Sequence, residues 1–266
     1  MRKFILFFLS ALSIIACDNL EYSPNQLFDR DTPRNLNQKN LDRIARLVPD
    51  DTVTIAFVGD SQRFYDEVED FVDKVNQFDN VDFVLLAGDI TDFGLLAEYE
   101  WIVESFNNLR MPFIGVVGNH DVIANGEGVY NKIFGPMDFS FVYDSIKFVV
   151  HNTNSREYYG ERVPDVEWLR NEMKSEADSP FKNIIGVSHV PPTDGDFNPK
   201  LVQPYADLLA STQGFLVSLH GHIHSHKDHY PFNDGVRYIT SYAFSQRNFV
   251  MLKIVNGEII KEEIPY

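Results

Sequence analysis

Five short runs rich in Asp, Asn, Gln and His recur along the chain, each directly after a stretch that reads as a buried β-strand. They are Gly59-Asp60-Ser61-Gln62, Gly88-Asp89-Ile90-Thr91-Asp92-Phe93-Gly94, Gly118-Asn119-His120-Asp121, Ser188-His189 and Gly221-His222-Ile223-His224. A parallel sheet delivers the carboxyl ends of its strands to one edge, so residues distant in sequence converge there. Asp60, Asp89, Asn119, His189, His222 and His224 then offer the oxygen and nitrogen ligands that a pair of divalent ions requires. One such run alone carries little; five in order make a two-metal hydrolase the first expectation.

Strand-and-helix periodicity supports this geometry. Residues 53–58 are β-branched-rich and end in Gly-Asp. Phe64, Val68, Phe71, Val72, Val75 and Phe78 follow at helical spacing. Residues 81–87 read as the next strand, 95–109 as the next helix and 113–117 as the third strand, a succession that implies parallel pairing through crossovers. Residues 139–143 and 146–150 flank Asp144-Ser145 as a hairpin, and Asn256-Gly257 is a second turn signal between strands at 249–255 and 259–264. Helices are expected at 165–176 and 201–210, strands at 183–187, 215–219 and 236–241, with the end of the chain antiparallel. Residues 36–48 read as a short helix with Leu41, Ile44, Leu47 and Val48 on one side. Fold class is therefore α/β, as a single body beginning near Thr52.

The amino terminus sets the expected compartment. Met1-Arg2-Lys3 is basic, and the apolar run to Ala16 is shorter than the roughly 20 residues a membrane span needs. The chain's single cysteine, Cys17, follows Ile14-Ile15-Ala16, which resembles a bacterial lipobox. The expected division is a signal peptide over 1–16, a lipid-anchored tether and short segment over 17–50, and the functional domain over 51–266. Acylation of Cys17 would hold an exported lipoprotein at the cell envelope without a transmembrane helix. One cysteine excludes an intramolecular disulfide. Removing Arg2 and Lys3 from a chain of net charge −16 leaves about −18, a field that repels polyanions and argues against nucleic acid as a partner.

At these runs the chain resembles the calcineurin-like metallophosphoesterase family, whose D-x-H or D-x-Q, G-D-x-x-D-x-G, G-N-H-D/E, lone His and G-H-x-H blocks occur here in family order over roughly residues 53–250. The resemblance implies a four-layer α/β/β/α sandwich of two mixed sheets with a dinuclear centre between them. It implies that Asp60, Gln62 and His224 hold one ion, Asn119, His189 and His222 the other, and that Asp89 bridges both. It further implies phosphoester hydrolysis of small organic phosphates by a metal-activated hydroxide, with His120 near the leaving group and Asp92 and Asp121 as its orienting neighbours. Gln62 departs from the commoner His. A carbonyl oxygen is a harder donor than imidazole, so Mn²⁺ is expected, with Zn²⁺, Fe²⁺ and Mg²⁺ open. The second block lacks the Tyr of the purple acid phosphatases, so no coloured iron site is expected.

Other residues carry two readings. Arg63, His151 and Arg156 are candidate substrate contacts, against surface, buried or loop roles. Tyr158 and Tyr159 share the loop of Arg156. His220, His226 and His229 flank the last block and read mainly as solvated turn residues. Loops at 122–135, 153–163 and 190–200 are expected to form the cap that sets specificity. Mono- and diester substrates both remain open, as do a pyrophosphate bond in a nucleotide-like substrate and a non-catalytic binding protein on the same fold. Protein partners are not legible.

Overall fold

The computed structural model describes residues 27–159 and 162–266. The expected signal peptide and Cys17 lie outside the described residues, and none of the described helices is long and apolar enough to cross a membrane.

The elements follow one another as α1 (Leu36–Ile44), β1 (Val53–Val58), α2 (Tyr65–Val75), β2 (Phe83–Leu86), α3 (Leu96–Phe106), β3 (Phe113–Gly115), α4 (Gly126–Ile133), β4 (Phe139–Tyr143), β5 (Ile146–Val150), α5 (Val166–Glu172), β6 (Asn183–Val187), α6 (Val202–Ser211), β7 (Phe215–His220), β8 (Lys227–His229), β9 (Arg237–Thr240), β10 (Asn248–Val255) and β11 (Glu258–Pro265). One sheet runs β11-β10-β1-β2-β3 and the other β4-β5-β6-β7-β9-β8. Parallel pairs β1–β2, β2–β3, β5–β6 and β6–β7 form the centre of each.

Side-chain alternation along the strands builds the layers. Ile55 and Phe57 of β1, Phe83 and Leu85 of β2, and Val250 and Leu252 of β10 face a central cluster shared with Ile185, Val187, Val217 and Leu219 of the second sheet. The intervening Ala56, Val58, Val84 and Leu86 face a second cluster with Phe71 of α2, Tyr99 of α3 and Tyr130 of α4. On the opposite side Ile184 and Tyr238 pack against Leu169 of α5 and Tyr205 of α6. Successive strand side chains point to opposite faces, so three apolar clusters define four layers, helix–sheet–sheet–helix. Each fully buried Val, Leu, Ile or Phe contributes about 1.5–3 kcal/mol of transfer free energy.

Both expected hairpin turns are present. Asp144 and Ser145 have φ 44° and 62°, and Asn256 and Gly257 φ 51° and 82°, the left-handed pair that a two-residue turn matching strand twist requires. Four expectations need correction. Residues 126–133 form α4, whose Val129, Tyr130 and Ile133 are buried in the outer layer, so they are not a cap loop. The strand at 237–240 pairs antiparallel with β8 but parallel with β7 on its other side, and the chain then returns to the first sheet as β10, antiparallel to β1 and β11. β8 was not expected at all. The folded body also begins before residue 51. α1 buries Leu36, Asn37, Asn40 and Ile44, and Asn37 donates to the Gly115 carbonyl and accepts from its N–H, both at 2.9 Å, closing the β3 edge. Val48, placed on the apolar side from sequence, is exposed.

Candidate metal centre

Each motif sits where a strand stops. Asp60 and Gln62 follow β1, Asp89 follows β2, Asn119 and His120 follow β3, His189 follows β6, and His222 and His224 follow β7. Five of these residues hold left-handed backbone: Asp60 (φ 57°), Gln62 (35°), Asp89 (50°), His222 (71°) and His224 (53°). Such values are uncommon outside glycine and cost free energy, and they concentrate at sites where the fold holds the backbone for a purpose. The turns are also packed to contact. A Cβ on Gly118 would lie 2.0 Å from the Asp89 amide nitrogen and 2.2 Å from its Oδ1, so only glycine lets the third motif close on the second.

The side chains form two Asp/His sets with one member in common. Ligand atoms of Asp89, His189 and His222 lie within 4.8 Å of one another, as do those of Asp60, Asp89 and His224. Asp89 thus stands between the two. Asn119 Oδ1 lies 3.2 Å from His189 Nε2 and 3.1 Å from His222 Nδ1, which places it in the first of these sets. Gln62 Nε2 is 3.2 Å from Asp89 Oδ2. His224 Nε2 is 3.3 Å from Asp60 Oδ1. Asp60 is buried, yet its Oδ2 has no hydrogen-bond partner among the described residues. A buried carboxylate oxygen without a donor is costly, and a cation among these donors removes that cost. The set of carboxylates, amides and imidazoles fits a pair of divalent ions.

The second nitrogen of two of these histidines is already engaged. His189 Nδ1 lies 2.5 Å from the Ala87 carbonyl, which can only accept, so Nδ1 bears the proton and Nε2 faces Asp89 at 3.2 Å. His222 turns Nδ1 inward and sets Nε2 3.3 Å from Asp194 Oδ1. A carboxylate or carbonyl behind an imidazole fixes the tautomer and ring plane for coordination. Burial alone would raise the Asp89 pKa, but the facing His189 outweighs it and holds Asp89 at about 2. Burial would lower His189, and Asp89 instead raises it to about 9. Without a cation the two are therefore an ion pair, and a cation at His189 Nε2 must displace a proton.

His120 stands beside both sets. Its backbone N–H donates to Asp89 Oδ1 at 2.9 Å, and its Nδ1 donates to the Asp92 carbonyl at 2.8 Å. The side chain is about one-third exposed at 34 %, so Nε2 remains open toward solvent. Asp92 also pairs with Arg63 at 2.7 Å. Asp121 does not touch the His120 ring. Its carboxylate instead accepts from the amides of Ile90, Thr91 and Gly118 and from the Thr91 hydroxyl, tying the second motif to the third. Burial and the charge of Asp89 push its pKa up to about 6 against those donors.

One candidate substrate contact, His151, is placed away from these sets, and another, Arg156, lies beside one of them through Asp196. His151 is buried beneath the sheet edge, with Nδ1 3.1 Å from the Val149 carbonyl and Nε2 2.9 Å from the Tyr205 hydroxyl; it does not reach the cleft. Arg156 is exposed and pairs with Asp196 at 2.8 Å. His220, read as a solvated turn residue, is wholly buried. His226 sets Nδ1 2.7 Å from the Thr240 carbonyl. Asp194 and Asp196 fall in the expected 190–200 loop, where no motif spacing singles them out; their carboxylates lie 3.3 and 3.7 Å from His222 Nε2, and the three form a further group able to hold a cation.

Burial lowers the His151 pKa from 6.5 to about 4. A depressed histidine stabilises the fold fully above its unfolded pKa, and that contribution is lost as pH falls from 6.5 toward 4. Between pH 7 and pH 5 the loss is about 2 kcal/mol. Urea unfolding of His151→Gln is expected to show a pH dependence shallower by that amount, and an unchanged slope would count against the assignment.

A family model described as calcineurin-like phosphoesterase matches residues 53–226. A probable glycerophosphodiester phosphodiesterase of Arcobacter nitrofigilis is 26% identical over 161 residues, covering 54% of this chain and 56% of that one. A probable cyclic nucleotide phosphodiesterase of Xenorhabdus bovienii is 25% identical over 63 residues, 24% of this chain and 26% of that one. The chain thus spans about half the length of the first curated relative and a quarter of the second. The crystal structure of a dimetal phosphatase from Danio rerio superposes with a TM-score of 0.62 at 14% identity, over 80% of this chain and 99% of that one, a likeness of fold.

Proposed function

The chain belongs to the calcineurin-like phosphoesterase family, and from that premise we propose that it is a metal-dependent phosphodiesterase with two divalent ions sharing Asp89. The observation that carries the reading is the pair of Asp/His sets with Asp89 in both. Asp60, Gln62 and His224 complete one set; Asn119, His189 and His222 complete the other. Ions held there supply water acidified toward neutral pH and neutralise charge on the phosphoryl oxygens. His120, with Nδ1 locked on the Asp92 carbonyl, presents Nε2 to the departing oxygen as acid or hydrogen-bond donor. Asp121 holds the loops of Asp89 and Asn119 in register.

The preference for a diester rests on charge. Asp194 and Asp196 stand at His222, and Arg156 offsets only the second. A monoester brings about one more negative charge than a diester at neutral pH, so carboxylates beside the site penalise it more. The names of the two curated relatives support the same direction. Protein stripped of metal and reloaded with Mn²⁺ is expected to hydrolyse bis(p-nitrophenyl) phosphate with a kcat/KM at least about tenfold above p-nitrophenyl phosphate, about 1.4 kcal/mol. A reversed ratio overturns the diester preference. No turnover with Mn²⁺, Zn²⁺, Fe²⁺ or Mg²⁺ overturns the enzyme reading. Acylation at Cys17 and a place in the cell envelope belong to the same proposal. Labelled fatty acid incorporated equally by the natural chain and Cys17→Ser would sink that part.

A further inference from the structure

A chain of buried polar side chains runs behind the second metal set. Ser188 Oγ lies 3.1 Å from His220 Nδ1, His220 Nε2 lies 2.8 Å from Ser218 Oγ, Ser218 Oγ lies 3.3 Å from the Tyr205 hydroxyl, and that hydroxyl lies 2.9 Å from His151 Nε2. His151 Nδ1 then meets the Val149 carbonyl at 3.1 Å. All five side chains are buried, none more than 1 % exposed. The chain joins α6 to the carboxyl ends of three neighbouring strands, β5, β6 and β7. Its members Ser188 and His220 lie one residue before His189 and two before His222.

The far end fixes its direction. A carbonyl only accepts, so His151 donates from Nδ1 and, being neutral in a buried site, accepts at Nε2. The Tyr205 hydroxyl therefore donates to His151 and accepts from Ser218. Ser218 accepts from His220 Nε2–H, and His220 Nδ1 accepts from the Ser188 hydroxyl. Every proton along the line is donated once, with a single orientation throughout. The line ends on a backbone carbonyl, so a proton entering at Ser188 has no exit. It is not a relay. Satisfied buried networks instead rigidify and specify one arrangement.

We propose that Ser188, His220, Ser218, Tyr205 and His151 form a positioning network that sets the backbone of the two histidine ligands, His189 and His222, of one metal set and bears on the other set only through the His222 N–H, which donates to Asp60 Oδ1 at 3.1 Å. The inference rests on the two-set reading of the metal centre. The Asp60 set draws Asp60 and Gln62 from the end of β1 and none of its side chains from the network, so the ion held by His189 and His222 should feel the network's loss far more than the other. Both ligand loops are tied to these strand ends through the backbone: Ser188 N donates to the Leu219 carbonyl at 3.0 Å and Gly221 N to the His189 carbonyl at 3.0 Å.

Tyr205→Phe breaks the line at its centre while keeping the ring that packs edge-on against Phe197. Ser218→Ala breaks it at the next link. Tyr143→Phe removes another buried tyrosine hydroxyl, one bonded to Asp82 at 2.7 Å and far from these loops, and serves as control. Mn²⁺ binding to each metal-free protein is measured by titration calorimetry, with thermal melts alongside. Both network variants are expected to bind one equivalent as the natural chain does and the other about 10–100-fold more weakly, the range for outer partners of metal ligands. The control should leave both unchanged. Two unaltered equivalents in both network variants would overturn the proposal, as would equal weakening of both equivalents, which marks general loosening. If the natural chain itself binds no Mn²⁺, the metal-centre reading fails, and the network proposal falls with it.

Discussion

Alanine at His120 lowers kcat on a phosphodiester by about 10²–10⁴-fold, the range for a positioned acid–base group, with both metal equivalents still bound. The ring contributes no atom to either Asp/His set. Its Nδ1 proton is committed to the Asp92 carbonyl, so the open Nε2 is the working atom. A residue that only packed would change stability or KM before kcat. Steady-state kinetics paired with metal analysis separates these outcomes. A fall in activity that tracks lost metal would place His120 among the ligands instead. The effect should also depend on the leaving group: an activated nitrophenolate needs less protonation than an alkoxide, so an alkyl diester is expected to lose more.

Asp89→Ala is expected to lose more than about 10³-fold in turnover and to weaken both ions. Substituting even an outer partner of a ligand costs 10–100-fold in affinity or activity, and Asp89 belongs to both sets at once. Its Oδ1 also receives the His120 amide, and its Oδ2 faces Gln62 and His189. The truncation therefore loosens three neighbouring motifs together. Asp60→Ala makes the sharper comparison: it should weaken the set containing His224 more than the one containing His189, which it touches only through the His222 N–H at 3.1 Å. Calorimetric titration of both variants reads this directly, and a selective loss of one ion in Asp89→Ala would refute the shared position.

The candidate ligand positions were legible because chemistry allows few substitutes there. A residue that must meet a cation at a strand end is Asp, Asn, Gln or His, and the glycine before it marks the tight turn; Gly118 shows why, with Asp89 occupying the space of its Cβ. The central strands were legible for a related reason: buried on both sides, they read as unbroken apolar runs. Elements held by other means were obscure. α4 begins Gly-Glu-Gly, a poor helix signal, yet Gly126 is needed because a Cβ there would sit 2.3 Å from the Asp121 carbonyl oxygen. α1 and the turn after it dock through Leu41, Ile44 and Leu47 as the apolar pattern implies, but the Asn37 contact to Gly115 carries no apolar signal. β9 reads from sequence as part of an antiparallel end; it is antiparallel to β8, and only its pairing beside β7 shows the parallel register. His220 looked like a solvated turn residue, and His151 could be read as a cleft contact or as a hydrogen-bonded histidine beneath a loop, because a buried imidazole has no sequence signature; burial is decided by Tyr205 and Ser218, which approach from α6 and β7. Asp194 and Asp196 lie in a loop without spacing rules, and position alone brings them to His222.

The central claim is that two ions, joined through Asp89, are both needed for turnover. The most direct test adds Mn²⁺ in small increments to metal-free protein held well above its dissociation constants, while hydrolysis of bis(p-nitrophenyl) phosphate is followed at each step. The account predicts little turnover up to one equivalent per chain, a steep rise toward two, and a plateau beyond. Full activity at one equivalent, or activity that survives complete chelation, would contradict it.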